Sequence, residues 1–400
     1  MVTFPPMRKA TLAFIFVLVA LDVLAMGIVI PVFPKLVERF SGGDTGQAAR
    51  VFGAMNTAWG VMQFLSMPIL GMISDRFGRR PVILVSCFGM GLDYFVMALA
   101  PDTAWLFAGR VVSGITAASM VTAFAYITDV TPPEKRAGAF GIMGAAFGVG
   151  FVAGPALGGV LGGIDPRLPF WVAGGLALAN AAYGFFVLPE SLAPEKRARF
   201  GWARANPVGS LKLLRSHAEL FGLAMVLFLM NLAHFVLPAV AVLYMGYRYG
   251  WGELAVGLVL AGVGVCAMIV QGGLVRKVVP RIGERRALAM GLFFGALGFF
   301  MYGLAPTGLV FLAAVPVMSL WGFAMPSAQA LMTRHVSVSE QGQLQGANAS
   351  LMSIAGIFAP ALFTQIFAVT LQSAPGAPFV LAGVLLLLAM AIAWRVTRPA

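Results

Sequence analysis

Charge is scarce in this chain. Only 10% of its 400 residues are Asp, Glu, Lys or Arg, against 60% hydrophobic, and a soluble protein needs far more charge than that to cover its surface. Cysteine is scarcer still. Cys87 and Cys266 both fall inside apolar runs, which argues against a disulfide framework and suits simple packing. There are three histidines, and no paired His/Cys set for a metal. A Walker loop for ATP is missing too, and no nucleophile–histidine–acid arrangement stands out, so an enzyme is disfavoured and no cofactor is expected.

What the chain has in quantity is long apolar runs, each about 20 residues and able to cross a hydrocarbon core roughly 30 Å thick. Twelve are expected, near 11–32, 50–72, 81–100, 104–126, 137–161, 168–188, 219–243, 254–275, 286–305, 308–331, 342–368 and 377–396. The opening MVTFPPMRKA and its apolar run could pass for a signal peptide. The run is too long, carries Asp22 and lacks a convincing cleavage site, so it reads as the first span.

The formal charge of +12 invites a nucleic-acid reading, but no basic domain stands apart from the membrane. With the N-terminus inside, the cytoplasmic segments hold 21 of the 27 Lys and Arg, the outer loops five, and one lies within a span. That asymmetry is a topology signal placing both termini in the cytoplasm.

The longest polar interval, residues 189–220, separates two sets of six spans. RFGRR at 76–80 and RIGER at 281–285 lie 205 residues apart, as do GPAL at 154–157 and APAL at 359–362, and Gly141 and Gly346. The expectation is an all-α membrane protein whose twelve transmembrane helices form two pseudo-symmetric six-helix bundles, 1–188 and 219–400, joined by a cytoplasmic linker at 189–218. Such repeats place a substrate site near mid-membrane.

Against that symmetry the deep charges are lopsided. Well inside the spans the only ionised types are Asp22, Asp93 and Arg110, whose counterparts 205 residues on are Leu227, Gly298 and Val315. Asp93 and Arg110 each lie about eight residues, or roughly 12 Å, from the tight outer turn joining spans three and four. Asp22 is about eleven residues, roughly 17 Å, into span one. Intramembrane ionisable residues are costly and face a protein interior or wet cavity. A static Asp93–Arg110 pair holding two helices together is the plain alternative. The functional reading is proton coupling, with Asp22 loading and unloading protons while Arg110 holds Asp93 ionised or competes with substrate for it. Spacing leaves open which aspartate carries the coupled proton.

Two further stretches carry motifs. GMISDRFGRRPVIL, 71–84, holds Gly71, Asp75, Arg76, Gly78, Arg79 and Arg80. By charge alone it is an ordinary basic loop, but its spacing resembles the signature loop of the major facilitator superfamily. The resemblance implies a cytoplasmic gate in which Asp75 meets the start of span eleven, where SVSEQ (337–341) offers a capping box. Asp129, at the inner end of span four, is the expected mate of Arg79. In span five, Gly150, Gly154, Pro155, Gly158 and Gly159 could be generic small-residue packing. Their pattern is similar to the antiporter motif of that superfamily's drug-exporting branch, which favours export over a proton-coupled symporter taking up a metabolite.

LDVLAMGIVIPVFP, SDRFGRRPVIL, GLDYFVMAL, AGRVVSGIT, FGVGFVAGPALGG, RYGW and EQGQLQG together resemble the tetracycline–proton antiporters over nearly the whole chain. The resemblance puts Asp22, Gln63, Asp75, Asp93, Arg110 and Asp129 on functional positions. It also implies a multi-pass protein of the bacterial inner membrane, monomeric, driven by the proton gradient. Two positions depart: Gly295 stands where that family has an acidic residue, and Ala267 where it has a His, while Gln271 is retained. Tetracycline and another amphipathic drug, such as a phenicol or a quinolone, both stay open as substrate.

Polar residues inside the C-terminal spans are Asn231, His234, Gln271 and Gln329, with Trp321 and Met325 close to the last. A lone His in an apolar helix is more often structural than ligand-binding. Uncharged hydrogen-bonders beside an aromatic and Met-rich wall suit a lipophilic ligand with several oxygens. A channel would need a continuous polar pore, and these residues are too few to line one.

Overall fold

The computed structural model describes residues 12–132, 135–197, 213–214, 218–337 and 340–398. Most of the expected linker at 189–218, and the first eleven residues, lie outside the described residues. Among the described residues the chain is helical and holds no strand. Twelve helices are long and apolar enough to cross a membrane: Leu12–Phe40, Thr45–Phe77, Arg79–Leu99, Thr103–Val130, Gly138–Ile164, Leu168–Val187, Glu219–Tyr249, Glu253–Ile282, Glu284–Leu304, Gly308–Thr333, Gln343–Thr370 and Ala377–Val396. They are called spans one to twelve. Several outrun the apolar runs that announce them. Span two, for example, begins before Arg50 and continues past Asp75, because a helix keeps its backbone bonds where the chain leaves hydrocarbon.

The chain divides into two compact units, 1–32 with 61–205, and 33–60 with 206–400. By chain order residues 33–60 belong to the N-terminal repeat, yet by packing they group with the second unit. Three contacts explain this. Gly60 lies against the backbone of Gly356, Gly53 against Thr364, and Arg39 Nη2 sits 2.9 Å from Glu253 Oε1.

In the first unit the closest packing is between spans one and five. A Cβ added at Gly154 would meet Gly27 Cα at 2.6 Å, one at Gly150 would meet Val23 Cγ1 at 2.6 Å, and Gly158 lies on the Ile28 carbonyl. Glycine lets the two backbones touch. In the second unit the core beside the turn between spans nine and ten is aromatic. Tyr302 stacks on Phe311 at 4.3 Å, Tyr244 meets Phe379 at 5.0 Å, and the Tyr244 hydroxyl donates to the Tyr302 carbonyl at 3.0 Å.

Five spans depart from regular α-helix. Span one turns at Ile30–Val32, around Pro31. Span four breaks at Ala117, whose φ of −73° and ψ of 56° form an inverse γ-turn closed by Ala118 N–H on the Thr116 carbonyl at 2.7 Å. Span seven breaks at Phe235, where Pro238 cannot bond the His234 carbonyl. Span eight has a π-helical turn, Ile269–Leu274, and span ten a 3-10 turn, Leu320–Phe323. There Pro326 likewise frees the Gly322 carbonyl.

Candidate functional site

Asp22 is 3% exposed, on the face of span one that meets spans three, four and six. Ser119, the first residue of span four after its break, donates its hydroxyl to Asp22 Oδ2 at 2.6 Å. A hydrogen bond to an ionised carboxylate contributes about 1.5–3 kcal/mol. Asp22 Oδ1 has no hydrogen-bond partner among the described residues. One oxygen is held and the other is open. Span three brings Cys87 and Tyr94 within electrostatic reach of the carboxylate. From span six, Asn180 Nδ2 donates to the Leu18 carbonyl at 2.9 Å, pinning span one a turn away from Asp22.

Asp93 is also 3% exposed. It lies within electrostatic reach of Arg110, and Ser113 is its hydrogen-bonding neighbour. Span four approaches closely there because Gly109 has no side chain: a Cβ on it would come 2.6 Å from Asp93 Oδ1. The structure thus brings Asp93 and Arg110 together, and Tyr94 feels the charges of Asp22, Asp93 and Arg110 alike.

At the end of the same unit where spans two and three join, Arg79 gathers the loop. Its Nε donates to Asp129 Oδ2 at 3.0 Å, its Nη1 to Ser74 Oγ at 3.1 Å and to Asp75 Oδ1. Gly71 opens this stretch in open space, while Arg76 lies over the Phe77 ring at 5.1 Å. Gly78, with φ of 109°, turns the chain where a side chain would be strained. Span three then starts without a side-chain cap of its own. Glu190, beyond span six, supplies one by accepting from Arg79 N–H at 2.9 Å and Arg80 N–H at 3.2 Å. Arg80 donates in turn to the Phe185 carbonyl.

The glycine motif of span five faces span one through Gly150, Gly154 and Gly158, and Pro155 Cδ lies near Gly27. Its effect on the charged site is steric. It sets how closely the helix carrying Asp22 is held.

In the second unit the irregular turns of spans seven, eight and ten meet. His234 and Trp321 have ring centroids 5.7 Å apart, and Phe299 meets Trp321 at 5.5 Å. Gln271, within the π-turn, packs beside Gly322. Departures from α-helix at one place are frequent at functional sites. Met325 and Gln329 follow Trp321 at helical spacing. Asn231 is spoken for within its own span, its Nδ2 donating to the Leu227 carbonyl at 2.9 Å. Gln63 belongs to span two in the first unit, where it is half-buried. Trp321 also accounts for Gly295: a Cβ there would meet Trp321 Cγ at 2.8 Å and Leu386 Cδ1 at 2.7 Å. The indole fills the space that a side chain at 295 would need.

Sequence reasoning passed over Ser119, Ser113, Gly109, Gly27, Asn180 and Glu190. Asn180 carried a legible signal, a polar amide within an apolar span. So did Glu190, in the Pro-Glu-Ser that ends span six. The others are small residues of types common in any membrane helix. At span eleven, Ser337 N–H and Oγ donate to Glu340 Oε2 at 2.9 and 2.7 Å, as the S-x-x-E spacing suggests, while residues 338 and 339 lie outside the described residues.

Residues 15–360 match the Major Facilitator Superfamily. The chain is 37% identical to the "Tetracycline resistance protein, class C" of Escherichia coli over 93% of each chain. With the class G protein of Vibrio anguillarum identity is 35%, over 94% of this chain and 95% of the relative. In fold it resembles the solved nucleoside transporter NupG, with a TM-score of 0.77 and 11% identity over 97% of this chain and 99% of that one. The charged residues of the first six spans, the Arg79 loop and the flush glycine helix thus sit in a chain that belongs to the Major Facilitator Superfamily, in its tetracycline-resistance branch.

Proposed function

We propose that this protein is a proton-driven antiporter that exports a lipophilic, tetracycline-like drug by alternating access. The observation that carries the reading is Asp22: a carboxyl group buried in a span, with one oxygen held by Ser119 and the other open. Such a group can take a proton at one face and return it at the other as access alternates. Asp93 and Arg110 form the second charged centre, and the loop from Gly71 to Arg80 with Asp129 forms the cytoplasmic gate. Similarity to tetracycline resistance proteins over most of the chain supports the direction and class of transport.

The Lys and Arg distribution supports a multi-pass protein of the bacterial inner membrane with both termini cytoplasmic. It works as a monomer, with the proton gradient as its energy source and no cofactor.

One observation favours a related drug over tetracycline itself. Trp321 covers Gly295, and the acidic residues described in the second unit (Glu38, Asp44, Glu219, Glu253, Glu284 and Glu340) lie at span ends or in turns. His234, Gln271, Trp321, Met325 and Gln329 make a wall for an aromatic ligand without net positive charge, such as a phenicol or a quinolone.

Everted membrane vesicles test both readings. An imposed pH gradient drives tetracycline, a phenicol or a quinolone inward, a protonophore stops it, and Asp22→Asn abolishes the gradient-driven part while the protein still inserts. Unchanged pH dependence in Asp22→Asn refutes the role given to that carboxyl.

A further inference from the structure

We propose that the inner half of span four, Ser119–Val130, is a rigid rod carrying the protonation state of Asp22 to the cytoplasmic loop, with Ser119 as the positioning residue at its upper end. This rests on the antiport reading above.

The rod is bounded at both ends by side-chain bonds. At the upper end Ser119, 6% exposed, donates to Asp22 Oδ2. At the lower end Asp129 accepts from Arg79 Nε at 3.0 Å and from the Ser191 hydroxyl at 3.0 Å. Ser119 and Asp129 are ten positions apart, about 15 Å of helix. A regular helix of that length keeps its backbone bonds when one end is displaced, so the other end moves with it.

The inverse γ-turn at Ala117 frees the rod from the upper half of span four. Gly109, Arg110 and Ser113 stay with Asp93 above the break. The break also makes Ser119 the first residue of a new helix, whose first-turn N–H groups lack intrahelical acceptors. Asp22, bonded to Ser119 through Oδ2, lies at that end. An ionised carboxylate is held there by a charge-assisted bond and by the helix end. A protonated one loses both advantages. Of the other elements packed on Asp22, span three contributes Cys87 and Tyr94 and span six the uncharged Asn180. Span five brings glycines. Span three also reaches the loop, at Arg79, but Ser119 is the side chain hydrogen-bonded to Asp22.

The test uses the full chain in everted vesicles, with whichever of tetracycline, a phenicol or a quinolone the wild type takes up as probe. Two rates are compared: uptake driven by a pH gradient, and exchange of the same drug across the membrane at equal pH, which needs no net proton movement. Ser119→Ala is expected to lower gradient-driven uptake at least about tenfold, equivalent to about 1.4 kcal/mol, and to leave exchange within about twofold. Ser119→Thr restores the hydroxyl and the uptake. Should Ser119→Ala fail to reach the membrane, Ser119→Cys keeps the volume, weakens the donor and must show the same split. Combined with Asp129→Asn, Ser119→Ala adds no further loss, because either change cuts the same rod. Three results each overturn the inference: unchanged gradient-driven uptake, equal loss of both rates, or losses that multiply in the double variant. Absence of gradient-driven uptake of tetracycline, a phenicol and a quinolone alike by the wild type overturns the functional reading, and the rod with it.

Discussion

Adding one methyl group at Gly154 probes how tightly the helix carrying Asp22 is held. The Cβ of Gly154→Ala would lie 2.6 Å from Gly27 Cα and 2.9 Å from the Gly27 carbonyl carbon. Carbon atoms pack best at about 3.5–4.0 Å, so spans one and five must part by about 1 Å, and a gap of that size forfeits a quarter to a half of each dispersion contact along the seam. Overpacking of this kind costs about 1–3 kcal/mol. The same opening acts on Asp22, next to Val23 on which Gly150 rests. Its 2.6 Å bond to Ser119 is sensitive to a shift of that size, because hydrogen bonds weaken beyond about 3.2 Å. Gly144 lies on the same helix with nothing within 4 Å of its would-be Cβ, so Gly144→Ala should stabilise by about 0.5–1 kcal/mol. Thermal unfolding of the purified proteins in detergent, alongside gradient-driven uptake, therefore separates two identical chemical changes by sign. If both variants melt alike and transport alike, close packing of the glycine stripe is not what holds span one in place.

Two more changes test the neighbouring elements. Gly295→Asp should displace Trp321 and Leu386, lowering thermal stability by about 1–3 kcal/mol and altering the order of resistance in a panel of tetracycline, a phenicol and a quinolone. An unaltered order would mean that Trp321 does not face the drug. Glu190→Ala removes the surrogate cap of span three and should cost about 0.5–2 kcal/mol in the same melting assay. A loss no larger than that of an exposed change such as Glu195→Ala would show that the cap contributes nothing.

The irregular turns differ in how far they could be foreseen. Pro238 and Pro326 each remove a backbone bond four residues upstream, so the breaks near His234 and in span ten are written in residue type. The break in span four is not. Ala117 and Ala118 are good helix formers, and no proline follows within a turn. Only the arrangement of neighbouring spans places a γ-turn there. Trp321 over Gly295 is similar: either residue alone is unremarkable, and their pairing depends on how spans nine and ten pack.

By itself the sequence determined the membrane setting, the count of spans, the twofold repeat, the deep charges and the loop motif. Each follows from a property of single residues or fixed spacings: hydrocarbon thickness sets run length, charge cost sets where ions can lie, and backbone geometry sets turn residues. Tertiary structure alone decided that Ser119 holds Asp22, that Gly27 lies flush on Gly154, that Glu190 caps span three, and that residues 33–60 pack with the second unit. These are contacts between segments far apart in the chain and made by common residue types. They are set by the complementary shapes of packed helices, which no local pattern encodes.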